Sequence, residues 1–379
     1  KISKPKNYSK KFILSLKKAL KKKEIKSSNL QPNVIIVLAE SFWDPQQFPG
    51  LILRKDPIPF FHSMQRENGG VLFIPAYGGG TVLSEFEILT GLSTQFIFGF
   101  PYITSIYKNT PSIAWQFKNK GYSTKYIHGY TGWFYDRKRV IPLLGFKKLL
   151  EEKDIKSHFE GIEISDDRYI KDEYFFKMIK NELEEEKPIF IFASNYGTHG
   201  PFLKEGVKEN YLNNNNLSKE QLEKLNSNFS LLNTFDHQIQ KLISYIQDTN
   251  KPTLIFVFGD HVPNENYLKL SLKDYSKNEE EVFKTPWFIW ANFPVEINNK
   301  TKSLNYFSID ILRNSFGNDY NHLELIDEIK KDLPVFSYFK LDNNYKDILS
   351  ENPKQFEDLK NRYESIQYDI LHGEQYLLK

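Results

Sequence analysis

The run Asn33-Val34-Ile35-Ile36-Val37-Leu38-Ala39-Glu40 is apolar from Val34 to Ala39 without alternation, and it stops at a carboxylate. A short, uninterrupted, β-branched run of this kind reads as a strand buried on both faces, which is what a parallel sheet covered by helices requires. Working outward, Val71–Ile74, Tyr122–Ile127, Pro188–Ala193, Pro252–Phe258 and Thr285–Ala291 read as further strands. Pro57–Glu67, Ser112–Lys120, Arg168–Glu186 and Lys219–Gln247 carry apolar residues at helical spacing between them. Strands alternating with helices predict an α/β fold with a mainly parallel central sheet and helices on both faces. In such a sheet the loops that follow the strands gather at one edge, where ligands bind.

Those loops carry the polar residues of interest. Glu40 directly abuts the first strand, where a carboxylate suits a hard divalent cation; Asp44, further on, reads as a surface acid. Gly78-Gly79-Gly80-Thr81-Val82-Leu83-Ser84-Glu85-Phe86 follows the second strand. The glycines permit a sharp turn that brings backbone N–H groups near an anion, and Thr81 stands where a helix begins. A hydroxyl there suits an oxygen nucleophile attacking phosphorus; the competing reading is a helix cap after an ordinary turn. The third strand delivers His128 and an aromatic loop with Trp133, Tyr135 and Arg137, a set that can fork onto phosphate and wall out water. Ser194–Phe202, with His199, follows the next strand, and Gly259-Asp260-His261 follows the one after it. Asp and His side by side supply one oxygen and one nitrogen ligand in a small space. Independent structural explanations for all these strand-end residues become improbable together.

The motifs Glu40-Ser41-Phe42-Trp43-Asp44, Gly78-Gly79-Gly80-Thr81 with Ser84-Glu85-Phe86-Glu87, Ser194–Phe202 and Gly259-Asp260-His261 resemble, in order, those of lipoteichoic acid synthase-type phosphoglycerol transferases. These belong to the alkaline phosphatase and sulfatase superfamily. The resemblance runs from about Pro32 to Ala291 and implies a sulfatase/alkaline phosphatase-like fold. It further implies one divalent ion, usually manganese with magnesium or zinc as alternatives, held by Glu40, Thr81, Asp260 and His261, with Thr81 as nucleophile. His128, Trp133, Tyr135, Arg137 and His199 would line the glycerol phosphate pocket, Arg137 and His199 with catalytic roles. Tyr135 departs from the tryptophan common there. The implied reaction moves glycerol phosphate from phosphatidylglycerol to a glycan or polyol-phosphate acceptor through a phosphoglyceryl-threonine. The implied place is the outer face of the cytoplasmic membrane, behind a membrane-spanning region preceding the chain.

A phosphoethanolamine transferase or phosphodiesterase of the same superfamily is the nearest alternative, and a polysaccharide-binding module with a degenerate site is one of another class. A formylglycine sulfatase is excluded, because Val82-Leu83-Ser84 after Thr81 lacks the C/S-x-P-x-R context. Asp44 and His62 are weak candidates for a second metal site. The chain of 379 residues has a net charge of +3, too small for its size to imply nucleic acid, and without cysteine it has neither disulfides nor thiolate ligands. The expected organisation is a basic juxtamembrane connector over 1–31, a sulfatase-like catalytic domain over 32–295 and a smaller C-terminal α+β part over 296–379, packed on the catalytic domain. Phe12, Ile13, Leu16 and Leu20 share one helical face among lysines, as in a segment against anionic lipid or an arm packed on the domain.

Overall fold

The computed structural model describes residues 4–20, 30–162, 169–203, 209–213, 216–296, 303–317, 320–336 and 353–379. Within them the strands are β1 (Asn33–Ala39), β2 (Gly69–Phe73), β3 (Ser123–His128), β4 (Lys148–Leu150), β5 (Ile189–Ser194), β6 (Thr253–Gly259) and β7 (Lys284–Ala291). They form one sheet in the order β2-β7-β6-β1-β5-β3-β4. β1 lies at its centre, parallel to β5 and β6, with Leu38 opposite Ser194 and Ala39 opposite Gly259. β3 and β4 extend the parallel part. β7 is antiparallel to β6 and β2 is antiparallel to β7, so β2 again runs with the central strands. The ends of β1, β2, β3, β5 and β6 therefore open on the same edge, and the sheet is the mainly parallel α/β arrangement the sequence predicts.

The apolar runs are uninterrupted because both faces of the sheet are covered. Every residue of β1, β5 and β6 is buried. Val34, Ile36, Leu38, Phe190, Phe192, Leu254, Phe256 and Phe258 point into one core, and Ile35, Val37, Ala39, Ile191, Ala193, Ile255 and Val257 into the other. Helix α3 (Thr81–Thr90) and the helices Phe307–Ser315, Asn321–Asp332 and Pro353–Leu371 close the first core. Helix α2 (Pro59–Asn68) and the helices Asp172–Glu182 and Lys219–Asp248 close the second.

Two parts carry detail that the sequence left open. After β7, the described residues are helices plus a single bridge between Ser303 and Phe73, and their apolar faces join the first core rather than forming one of their own. At the chain start, helix α1 (Lys10–Ala19) is capped by Ser9, buries Ile13 and Leu16, and packs on the helices Asn321–Asp332 and Pro353–Leu371. It is an arm laid on the domain; residues 21–29 of the expected connector lie outside the described residues. No described helix is long and apolar enough to cross a membrane.

Candidate active site

The backbone brings Glu40, Thr81, Asp260 and His261 together at the carboxyl edge. Gly78, Gly79 and Gly80 have φ values of 64°, 144° and 91°, conformations that a Cβ would strain, and they turn the chain so that Thr81 becomes the first residue of α3. Thr81 Oγ1 donates to Glu40 Oε2 at 2.8 Å, and Ser41 Oγ donates to Glu40 Oε1 at 2.8 Å. Gly259 ends β6 against β1 so closely that a Cβ would lie 1.9 Å from the Phe42 carbonyl oxygen. Only glycine there lets Asp260 and His261 reach Glu40. The Ser41 N–H donates to Asp260 Oδ1 at 2.8 Å, and Ser84 Oγ donates to the Asp260 carbonyl at 2.9 Å.

His261 Nδ1 lies 2.8 Å from the Val262 carbonyl, which can only accept, so this nitrogen carries the proton. Nε2 is left as a lone-pair donor, 3.4 Å from Glu40 Oε1 and 3.3 Å from Asp260 Oδ2. A ring fixed in this way by a carbonyl is the usual preparation for binding a metal ion. Burial holds the imidazole below its ordinary pKa despite the Glu40 charge. Burial also raises the Asp260 carboxyl well above its usual range, and the Glu40 charge adds to this. Glu40 is held below the usual range, because His261, His199, Thr81 and Ser41 outweigh its burial.

Ligand atoms of Glu40, Asp260 and His261 all lie within 4.8 Å of one another. Among the described residues, no Lys or Arg is paired with Glu40 or Asp260, and Asp260 Oδ2 has no hydrogen-bond donor. Two buried carboxylates and an imidazole that turns Nε2 toward them, without a Lys or Arg, fit a divalent cation. Thr81 Oγ1 adds a further oxygen at the same place.

The remaining sequence candidates occupy different positions. His199 is half-buried, with Nδ1 2.7 Å from the Gly200 carbonyl and its ring stacked on Tyr196 at 4.4 Å. Tyr130 stacks on the other side of Tyr196 at 4.5 Å. His128 is buried, with Nδ1 3.4 Å from the Ser194 carbonyl and Nε2 without a partner; burial and the Arg137 charge hold it well below its ordinary pKa. Tyr135 and the following Asp136 have φ of 57° and 60°, left-handed values that side chains with a Cβ adopt at some cost. Ser41 beside Glu40, at φ 49°, shares that strain. Trp133 stands on the surface at 72% exposure, with Lys138 over its ring, rather than inside a closed pocket.

Arg137 departs from the expected phosphate fork. Its guanidinium is buried, with Nη2 2.6 Å and Nε 3.2 Å from Glu85 Oε1, and Nη1 donates to the Phe134 carbonyl at 3.0 Å. The paired edge that would clasp a phosphate faces the Glu85 carboxylate, because burying Glu85 on α3 demands a cation. Asp44 and His62 also go elsewhere: His62 lies between Asp44 at 3.1 Å and Asp56 at 2.7 Å, away from the Glu40 cluster.

Sequence reasoning missed the residues that grip the Glu40 backbone. The Glu40 N–H donates to Asn195 Oδ1 at 2.7 Å, and Thr198 Oγ1 donates to the Glu40 carbonyl. Asn195 Nδ2 in turn donates to Asp172 Oδ1 at 3.0 Å. The visible signal was an Asn directly after a buried strand, in the loop that also holds His199.

The fold and the site define a member of the Sulfatase family: the family model matches residues 32–313, well over half of the chain, and the chain belongs to that family. A curated relative, the putative cyclic beta-1,2-glucan modification protein of Rhizobium meliloti (strain 1021), is 29% identical over 376 residues, covering 91% of this chain and 56% of that protein. The chain thus spans about half the length of the curated relatives it matches. Among solved structures, the Streptococcus pyogenes phosphoglycerol transferase GacH, in complex with sn-glycerol-1-phosphate, superposes with a TM-score of 0.81 at 23% identity, over 100% of this chain and 97% of that one. The lipoteichoic acid synthase LtaP from Listeria monocytogenes gives a TM-score of 0.57 at 16% identity, over 82% and 80% of the two chains. At these identities the likeness is one of fold.

Proposed function

We propose that the chain transfers glycerol phosphate from a phosphatidylglycerol-like lipid to a cell-envelope polysaccharide or polymer through a phosphoglyceryl-threonine. The observation that carries this reading is Thr81 Oγ1, hydrogen-bonded to Glu40 at the first turn of α3 and beside Asp260 and His261. The full-length likeness in fold to a protein described with bound glycerol phosphate supports it, as does the glucan-modifying description of the curated relative. Glu40, Asp260, His261 and Thr81 would hold one divalent cation, manganese, magnesium or zinc, which would lower the pKa of the threonine hydroxyl and screen the phosphodiester.

The chain's own groups then do the following. Glu40 and the glycine turn aim Thr81 Oγ1 at phosphorus, and backbone N–H groups at the start of α3 favour the anion. Thr81 forms the new P–O bond and gives up its proton, through water, to the His199 Nε2 lone pair. The diacylglycerol oxygen leaves and takes up a proton. His199, whose Nδ1 is occupied by the Gly200 carbonyl, has Nε2 for that transfer, and stacking on Tyr196 fixes the ring plane. An acceptor hydroxyl then attacks phosphorus, and the Thr81 hydroxyl is restored with the proton the acceptor loses. His128 and Tyr135 border the glycerol, Trp133 stands at the outer rim, and Arg137, its charge paired with Glu85, positions Glu85 and α3. The site faces the outer side of the membrane in this reading.

The test is mass spectrometry of the acceptor glycan from cells with and without the gene. An added glycerol phosphate on the glycan, absent without the gene, is the expected result. An added phosphoethanolamine would assign the neighbouring transferase class, and no difference would remove transfer to glycans.

A further inference from the structure

Large apolar side chains are exposed in one region out of proportion to the rest. Phe98, Phe100, Ile103 and Tyr107 come from the segment before the helix Ile113–Asn119, and Trp133 and Phe134 from the loop after β3; Phe98 is 91% exposed. The two segments form one rim. The Phe100 ring lies 4.7 Å from Tyr135, Phe134 lies 4.2 Å from Tyr135, and Arg139 donates from Nη2 to the Tyr102 carbonyl at 2.6 Å and from Nη1 to that of Ile106. The rim borders the site itself, since the Phe100 ring is 3.6 Å from where a Cβ on Gly80 would lie, one residue before Thr81.

A basic surface adjoins the same segment. Phe96 and Pro5 line one pocket with Tyr368, and Lys108 Nζ donates to the Gly373 carbonyl at 2.7 Å, which ties the rim to the end of the helix on which α1 packs. Lys4, Lys6, Lys10, Lys11 and Lys18 are exposed on that start of the chain. Exposed apolar patches of this extent mark an interaction surface. Amphipathic aromatic rings with lysines beside them match the boundary between acyl chains and anionic headgroups, whereas lysine is depleted in protein interfaces.

We propose that this rim docks on an anionic phospholipid bilayer. Phe98, Ile103 and Trp133 enter the headgroup layer, and the lysines of the chain start face the lipid phosphates. A donor lipid then reaches Thr81 past Phe100 while its fatty chains remain in the bilayer. The role assigned to the donor rests on the phosphoglycerol transfer reading, but the docking does not.

The test is flotation of the whole chain with phosphatidylcholine vesicles, with and without phosphatidylglycerol, alongside turnover of a water-soluble short-chain phosphatidylglycerol and of the vesicle-borne lipid. The wild type is expected to float only with the anionic vesicles and to be released by salt. Phe98→Ser/Ile103→Ser, which removes two apolar anchors, should lower vesicle partitioning by about tenfold or more. The same variant should lose turnover of the vesicle lipid and keep that of the soluble donor. Failure of the wild type to float, or unchanged flotation of the variant, would overturn the docking. So would a solution dimer that the same substitutions break, since the rim would then belong to a second copy. Salt-sensitive flotation lost in the variant, with no transfer from either donor, would uphold the docking and sink the transfer reading.

Discussion

Glu85 and Arg137 illustrate what a single residue can demand. Both are buried, and each is the other's charge partner. Arg137→Ala leaves Glu85 buried without its partner, and the expected loss of stability in denaturant unfolding is about 3–5 kcal/mol. Arg137→Met with Glu85→Leu should recover most of that loss; a single alanine variant as stable as wild type would remove the pair from the account. Asp260 gives the second prediction at this scale. It supplies Oδ2 without a donor, so Asp260→Ala should lose bound divalent metal and turnover together, as read by elemental analysis of the purified protein. Undiminished metal in that variant would contradict the assigned ligand set. Glu40, Thr81, Asp260 and His261 were legible as candidates because each stands directly after a strand or a glycine turn. The Glu85 partner of Arg137 was not, since a sequence shows a charge but not which distant helix must bury its counter-charge. Asn195 and Thr198 escaped for a similar reason: they act on the Glu40 backbone, which no residue pattern reveals.

At the scale of elements, the loop after β1 is tied to α2 by His62, held between Asp44 and Asp56. Burial alone would lower the His62 pKa, but the two carboxylates overcome it and raise it to about 9. A histidine raised above its unfolded value, about 6.5, contributes stability that is fully present below that value and is lost as pH rises through about 9. The stability difference between wild type and His62→Gln should therefore shrink as pH rises from about 6.5 past 9. A difference that grows over this range would reject the pairing. The strands β1, β5 and β6 were legible because burial on both faces leaves them polar residues only at their ends, Asn33, Ser194 and Thr253. β4 was not, since three residues, Lys148–Leu150, carry no readable period. The antiparallel course of β7 was also hidden, as apolar content does not encode direction.

At the largest scale the described residues form one sheet with two cores, and the C-terminal helices supply much of one of them. Leu304, Ile309, Leu312, Ile326, Ile329 and Ile370 pack in the same core as Val34, Phe192 and Phe256. The boundary expected near 295 therefore separates segments of chain rather than cores. A truncation to 32–295 is expected to lack cooperative unfolding and to expose apolar surface to a hydrophobic dye. A truncated protein that unfolds as sharply as the intact chain would establish an independent catalytic domain. The sequence could not show this sharing, because amphipathic helices state that they are covered on one face without stating by what.

The central claim is that Thr81 is a nucleophile, and it is tested most directly by mass spectrometry of the peptide containing Thr81 after the metal-loaded protein meets phosphatidylglycerol without acceptor. A phosphoglyceryl adduct is expected on that peptide in the wild type and not in Thr81→Ala, and it should disappear when acceptor is added. Donor turnover by Thr81→Ala at the wild-type rate would contradict the claim and leave the hydroxyl as nothing more than the first side chain of α3.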